Sequence, residues 1–366
     1  MSRTLPEWSG AELEYVEPTQ VVRSFGYDVF VNEYHEETFN WNEKTIGCIP
    51  EVDGEVAEPA SPFANEDEAA AAIKAAATEL GAAMVGITTV DPQHVYKGFD
   101  LPHRYGIVIA VPMEYDEMKH GATERHLREV IKIYAVAGRI AVELGKQIRA
   151  RGYPARAHTL RFEQINMLPH AVQAGIGELG KHGSLINTEL GCSFRLSMVT
   201  TDLPLALDTP RDWGIEQTCM NCDMCSRWCP GDAISPDKET VRGSERWIVD
   251  IEKCAPYWGS YYACGICLEV CPFNARGFDG RYKRDLVERI KGFDRDAWTQ
   301  ELQEGLQTPW QHVQPPAAQE PGWRNRVEGR GDAAVLLQGL PRAGLPEAVY
   351  AMRKRMHLDP GGEAGT

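Results

Sequence analysis

Cys219-Met-Asn-Cys222-Asp-Met-Cys225-Ser-Arg-Trp-Cys229-Pro230 is the stretch from which the rest of the chain is best read. A stretched copy follows it: Cys254, nine intervening residues, then Cys264-x2-Cys267-x3-Cys271-Pro272. Together the two runs take eight of the ten cysteines. Thiols spaced this closely share one tight loop and can converge on a single centre. The proline closing each run stops the ligand turn from continuing as an ordinary helix.

The spacing C-x2-C-x2-C-x3-C-P is the one by which bacterial ferredoxins hold two 4Fe-4S clusters, the last cysteine of each run crossing to the other cluster. On that pattern Cys219, Cys222, Cys225 and Cys271 hold one cluster, and Cys229, Cys254, Cys264 and Cys267 the other. Structural zinc uses paired C-x2-C units rather than four-cysteine runs ending in proline. Disulfides fit less well, because no secretory signal precedes the runs. The chain is therefore expected to move single electrons, and the question becomes what receives them.

Composition narrows the setting. At 366 residues the chain has room for two or three domains. Apolar residues make up 43% and charged residues 25%, as in a soluble globular protein. No run approaches the ~18 apolar residues of a membrane span. The opening Met-Ser-Arg-Thr-Leu-Pro-Glu-Trp has neither a hydrophobic signal core nor a twin arginine, so the expected location is the cytoplasm. A net charge of −15 argues against a nucleic-acid backbone as the main partner.

Four parts are expected along the chain. Residues 1–62 form an arm packed on the core, because Tyr27, Phe30, Tyr34, Phe39 and Trp41 are too many aromatics for a disordered tail. Residues 63–208 alternate helices and strands, which indicates an α/β domain. In it, Asn65 caps an alanine-rich helix that stops at Gly81, and strands cover 83–90, 106–112, 153–159 and 194–201. A long helix runs from about Thr123 to Arg151 with Leu127, Ile131, Tyr134 and Ile140 on its apolar side, and a short one spans Pro169–Leu179. Residues 209–280 are the cysteine module. Residues 281–366 carry helices over 285–291, 295–306 and 333–356, joined by a Pro- and Gln-rich connector.

An acceptor site is expected in the α/β domain. Its densest candidate is the run from Leu168 to Asn187, where Gly175, Gly177, Gly180 and Gly183 would let backbone approach a large flat ligand. A glycine-rich helix terminus without a ligand explains the same residues equally well. The run is no dinucleotide fingerprint, since no G-x-G-x-x-G follows a strand and opens a helix.

Met113-Glu-Tyr-Asp116, Ala174-Gly-Ile-Gly-Glu-Leu-Gly-Lys-His-Gly183 and Thr201-Asp-Leu-Pro-Leu205, followed by both cysteine runs, resemble in kind and order the blocks of corrinoid-dependent reductive dehalogenases. The likeness covers roughly residues 65 to 280. It implies a mixed α+β or α/β fold: a nitroreductase-like domain holding base-off cobalamin, then a bacterial-ferredoxin-like module with two 4Fe-4S clusters. Epoxyqueuosine reductases share the corrinoid, the clusters and a similar glycine-lysine block. The Met-Glu-Tyr-Asp and Thr-Asp-Leu-Pro-Leu segments favour the dehalogenases. Lysine at 181, where many respiratory members have arginine, and the unexported start look like the cytoplasmic, catabolic branch. Members of that branch often carry an attached reductase. Without one here, a separate low-potential donor (ferredoxin, flavodoxin or reductase) is expected.

The resemblance also implies roles. The substrate is a small organohalide, expected to be a halogenated aromatic or phenol. Tyr115 is the expected proton donor and Lys181 its neighbour. A phenol, with an ordinary pKa of about 10, is a poor donor in water, but a nearby ammonium stabilises the phenolate left behind. That ammonium can also bind an anionic substrate. Arg246 is a weaker candidate for contacts to substrate or corrinoid. His158, His170 and His182 read as polar or packing residues, Cys48 and Cys192 as free thiols, and Tyr257-Trp258-Gly-Ser-Tyr261-Tyr262 as a shield for a cluster. Two competing readings are an epoxyqueuosine reductase-like enzyme and a non-catalytic electron carrier or corrinoid-activating protein.

Overall fold

A computed structural model describes residues 36–274 apart from 97, 122, 161, 242, 243, 252, 255–257 and 259–261. The expected helices beyond residue 280, Tyr27, Phe30 and Tyr34 of the arm, and Tyr257 and Tyr261 of the shield lie outside the described residues.

The molecule is organised around one four-stranded sheet in the order β1 (Met84–Thr89), β2 (Tyr105–Pro112), β6 (Phe194–Thr201) and β3 (Ala155–His158). All three pairings are antiparallel. Helix and sheet alternate along the chain, yet the sheet has no parallel pair, so of the two expected classes this is the α+β arrangement. β2 is central and apolar throughout because both of its faces are covered. Ile107, Ile109 and Val111 point into one core, while Val108 and Ala110 point into another.

The first core is roofed by α4 (Glu124–Ala150), which packs on β6, β3 and β2. Its buried stripe runs through Val130, Ile133, Ala137, Ile140, Ala141, Leu144 and Ile148, a helical period facing the sheet. The stripe differs from the expected one: Ile131 and Tyr134 are only half-buried, because the helix is rolled so that Val130 and Ile133 meet the strands. Gly138 lets α4 settle closely, since a Cβ there would lie 3.1 Å from the Thr159 methyl. Beside α4 lie α1 (Glu36–Ile46) and α2 (Glu66–Glu79). α2 is capped by Asn65, whose side chain accepts the Glu68 amide at 2.8 Å. Gly81, at φ +110°, ends it. Between α1 and α2, Arg149 reaches from the end of α4 to the carbonyls of Glu51 and Ala155, tying residues 49–53 to β3.

The opposite face is covered by α5 (Met167–Gln173) and the glycine run after it. The expected helix to Leu179 stops early. Gly175 turns left-handed at φ +72°, and the chain then forms a hairpin from β4 (Glu178–Leu179) and β5 (Leu185–Ile186). The first core continues unbroken into the cysteine segment through Trp213, Ile215, Cys219, Trp247, Leu268, Cys271 and Phe273. Among the described residues, no helix is long and apolar enough to cross a membrane.

Candidate functional site

The site is assembled at the end of the sheet where β2 finishes and β6 begins. The hairpin turn is closed by Gly180 N–H donating to the Ser184 carbonyl at 2.9 Å and Gly183 N–H to the Gly180 carbonyl at 3.0 Å. Gly183 sits at φ +81°, a conformation that favours glycine. The turn carries Lys181 and His182, both buried, towards the cysteine segment.

Glu178 anchors the hairpin to that segment. Its Oε2 accepts the amides of Trp213 and Ile215, each at 3.0 Å, at the start of α6 (Ile215–Asn221), the helix bearing Cys219. A carboxylate here satisfies amides that the helix itself leaves unpaired. Trp213 Nε1–H adds a bond to the Gly175 carbonyl at 3.2 Å. Cys225 follows on α7 (Met224–Arg227), and Cys267 lies on α8 (Ile266–Glu269). The approach to α8 is strained: Tyr262, Ala263 and Cys264 are all left-handed, at φ 46°, 62° and 46°.

The eight cysteines gather as two groups. Burial pushes the Cys219 thiol up to about 11 and Cys225 up to about 12, and raises Cys222. Cys271 adds to the rise at all three. Contact with Cys192, then burial, holds Cys271 well above the ordinary thiol range, with His182 drawing it down. In the other group, burial lifts Cys254 to about 11 and Cys264 to about 12, with Cys229 adding to both. Cys267 stands well above the ordinary range through burial, Cys264, Cys254 and Cys229, and it also feels Cys225 of the first group. Buried thiols crowded together cannot ionise without cations to balance them. Iron supplies that positive charge, so the donor set fits 4Fe-4S clusters chemically.

The remaining candidates are placed as follows. Lys181 is 3% exposed, its ammonium 5.6 Å from the centre of the Trp247 ring. Lys238 approaches the same ring at 4.7 Å. The Lys181 backbone amide bonds Cys219 and lowers its thiol. Tyr115 is half-buried at the first residue of α3 (Tyr115–Met118). The ammonium over its ring is that of Lys119, at 5.9 Å. Among the described residues, no hydrogen bond joins Tyr115 to Lys181. The strand end before Tyr115 is tied to the cysteines all the same. Met113 N–H donates to the Ser193 carbonyl at 2.9 Å, and the Ser193 hydroxyl donates to Asn274, three residues after Cys271. Arg246 is exposed on β8 (Ser244–Arg246), opposite Glu239 of β7 (Glu239–Val241).

Of the histidines, His158 meets Thr200 at 3.0 Å, and His170 bonds the Asn166 carbonyl and the Asp91 amide. Both are polar residues of the interior, as expected. The glycine block does not form an open bed. A Cβ at Gly175 would meet the Thr209 carbonyl at 2.7 Å, at Gly177 the Ile186 carbonyl at 2.7 Å, and at Gly180 the Ile186 side chain at 2.4 Å. These glycines let the chain approach itself rather than a flat ligand. Spacing gave no signal for Trp247, Glu178 or Cys192. Cys48 is a buried thiol bonded to the Lys44 carbonyl. Cys192 is different: it shares with His182 and Cys271 a knot of ligand atoms within 4.8 Å of one another.

Residues 218–277 match the model of the 4Fe-4S dicluster domain. A tetrachloroethene reductive dehalogenase of Desulfitobacterium hafniense is 33% identical over 181 residues, covering 46% of this chain and 32% of that protein. The solved structure of a reductive dehalogenase, described as suggesting a mechanism for B12-dependent dehalogenation, matches with TM-score 0.61 and 26% identity over 74% of this chain and 41% of that one. Over these stretches the chain is similar to reductive dehalogenases. The catabolic reductive dehalogenase NpRdhA shares the fold, with TM-score 0.67 and 24% identity over 83% of this chain and 47% of its own. An epoxyqueuosine reductase of Cyclobacterium marinum is also related, 31% identical over 143 residues, or 37% of this chain and 44% of that protein. Both groups of relatives are oxidoreductases. The chain spans about a third of the length of the curated dehalogenases it matches.

Proposed function

We propose that this protein is a cobalamin- and iron-sulfur-dependent reductive dehalogenase that removes halide from a small organohalide, a halogenated aromatic or phenol. The observation that carries the reading is the packing of one cysteine quartet against the hairpin bearing buried Lys181, with the second quartet beside the first, in a fold shared with reductive dehalogenases. Cys219, Cys222, Cys225 and Cys271 hold one 4Fe-4S cluster, and Cys229, Cys254, Cys264 and Cys267 the second. The influence of Cys225 on Cys267 makes the two groups neighbours, as electron passage between clusters requires.

The corrinoid comes to this reading from the relatives alone, since the glycine block is filled by the chain's own atoms. When bound it supplies an electron-rich cobalt able to open a carbon–halogen bond. The carbon left behind needs a proton, which Tyr115 donates from its hydroxyl. Lys181 carries a positive charge that no carboxylate among the described residues neutralises, which suits a phenolate, of substrate or of tyrosine. Arg246, exposed and next to Trp247 in the chain, is the weaker candidate for contacts to substrate or corrinoid. Electrons come from a low-potential donor.

The test is anaerobic reconstitution with iron, sulfide and cobalamin, followed by halide release from bromo- and chlorophenols under a strong reductant. Halide release is the expected result. Corrinoid uptake without halide from any of a broad panel moves the assignment to an epoxyqueuosine reductase-like activity. Cluster assembly without corrinoid uptake moves it to an electron carrier.

A further inference from the structure

His182 is 7% exposed and stands beside two sulfurs. The Ser184 amide donates to its Nδ1 at 3.2 Å, so the ring proton sits on Nε2. That Nε2 is buried and, among the described residues, has no hydrogen-bond partner as the side chains stand. A buried N–H left unpaired is costly, and a ring nitrogen of His182 and the sulfurs of Cys192 and Cys271 lie within 4.8 Å of one another, with His182 acting directly on the Cys271 thiol. Cys192 is a thiol that gives its own proton to the Leu268 carbonyl at 3.5 Å. Cys271, once it ligates iron, is a thiolate and the stronger acceptor.

The hairpin is built to hold the ring there. A Cβ at residue 180 would lie 3.3 Å from His182 Cε1, so Gly180 leaves room for the imidazole. One residue earlier along the turn, the Lys181 amide bonds Cys219, a member of the same quartet. The hairpin thus directs two N–H groups at one cluster.

We propose that His182 is a positioning residue for electron transfer: its Nε2–H donates to the Cys271 sulfur and raises the reduction potential of the cluster held by Cys219, Cys222, Cys225 and Cys271. Adding an electron to a buried cluster adds negative charge in a dry place. Donors aimed at its sulfurs offset that cost, and they do so more strongly in the reduced state. The inference rests on the reading that these four cysteines bind a cluster.

The test is an EPR-monitored redox titration of the reconstituted full chain. His182→Phe keeps an aromatic ring but loses the donor. Reduction of one cluster should become about tenfold less favourable, a shift of about 59 mV to lower potential for one electron, while the other cluster stays put. His182→Gln, which retains an N–H, should recover most of the shift. Unmoved potentials in His182→Phe, equal shifts of both clusters, or a shift as large in His182→Gln would overturn the proposal. Should His182→Phe fail to assemble, pulsed EPR on reduced, 15N-histidine-labelled protein decides. A weakly coupled imidazole nitrogen is expected in the wild type and absent in His182→Gln; a wild-type spectrum without it refutes the hydrogen bond. A wild-type chain that takes up no iron refutes the cluster reading instead, a separate failure.

Discussion

Lys181 brings a positive charge into the interior with the face of Trp247, rather than a carboxylate, as its described partner. Burying an ammonium without a carboxylate is expensive, which is the ground for proposing that Lys181 acts on an incoming group. Tyr115, at the other edge of the site, is half-buried and carries a single exchangeable proton. A general acid contributes ~10²–10⁴-fold to a rate. Tyr115→Phe should therefore slow halide release by about that factor while leaving the cobalamin absorbance spectrum unchanged. Unaltered turnover would remove Tyr115 as donor. Sequence pattern brought both residues forward by resemblance. It had no means to show that the ammonium over the tyrosine ring is that of Lys119.

At the scale of the element, two local devices hold the cysteines in place. The first is the Glu178 clamp between hairpin and α6. Glu178→Ala strands the amides of Trp213 and Ile215, at a cost of about 1–3 kcal/mol. The urea midpoint should fall, and Glu178→Gln, with an acceptor oxygen retained, should fall less. The second is the left-handed loop ending at Gly265. There φ is +78°, and a Cβ would lie 2.1 Å from Cε1 of buried His126. Gly265→Ala is expected to displace Cys264 and Cys267 and to cut bound iron by about half, as read by iron analysis. The helices and strands were legible because period and caps are local properties. The hairpin was not, since two-residue strands carry no periodicity and the turn is stabilised by α6 from another part of the chain.

At the scale of the whole molecule, the sheet domain and the cysteine segment share one core, so iron binding and folding should be coupled. The interior also holds three histidines whose charged forms burial disfavours: His158 is drawn down to about 3, and His126 and His170 to about 4, from an ordinary 6.5. Between pH 6.5 and about 4 the unfolded chain binds protons that the folded one refuses. Stability is therefore full above pH 6.5 and declines as pH falls through that window, by about 1 kcal/mol per pH unit for each histidine. Thermal melts across the window should show the decline, and His158→Gln should flatten it. A slope unchanged by that substitution would mean that His158 does not carry it.

The two cysteine runs were legible in the sequence, because a ligand loop is a matter of spacing along the backbone, and the expected crossing of the last cysteine came with the ferredoxin pattern. So were the sheet's strands, whose apolar runs report burial directly. The knot of His182, Cys192 and Cys271 belongs to the fold alone: its members come from a hairpin, a strand start and the second cysteine run, and only antiparallel pairing and a shared core bring them within reach. The glycine block divides in the same way. Its composition announced a close approach, but only packing revealed that the partner is the chain itself, because a missing Cβ does not say what fills its place.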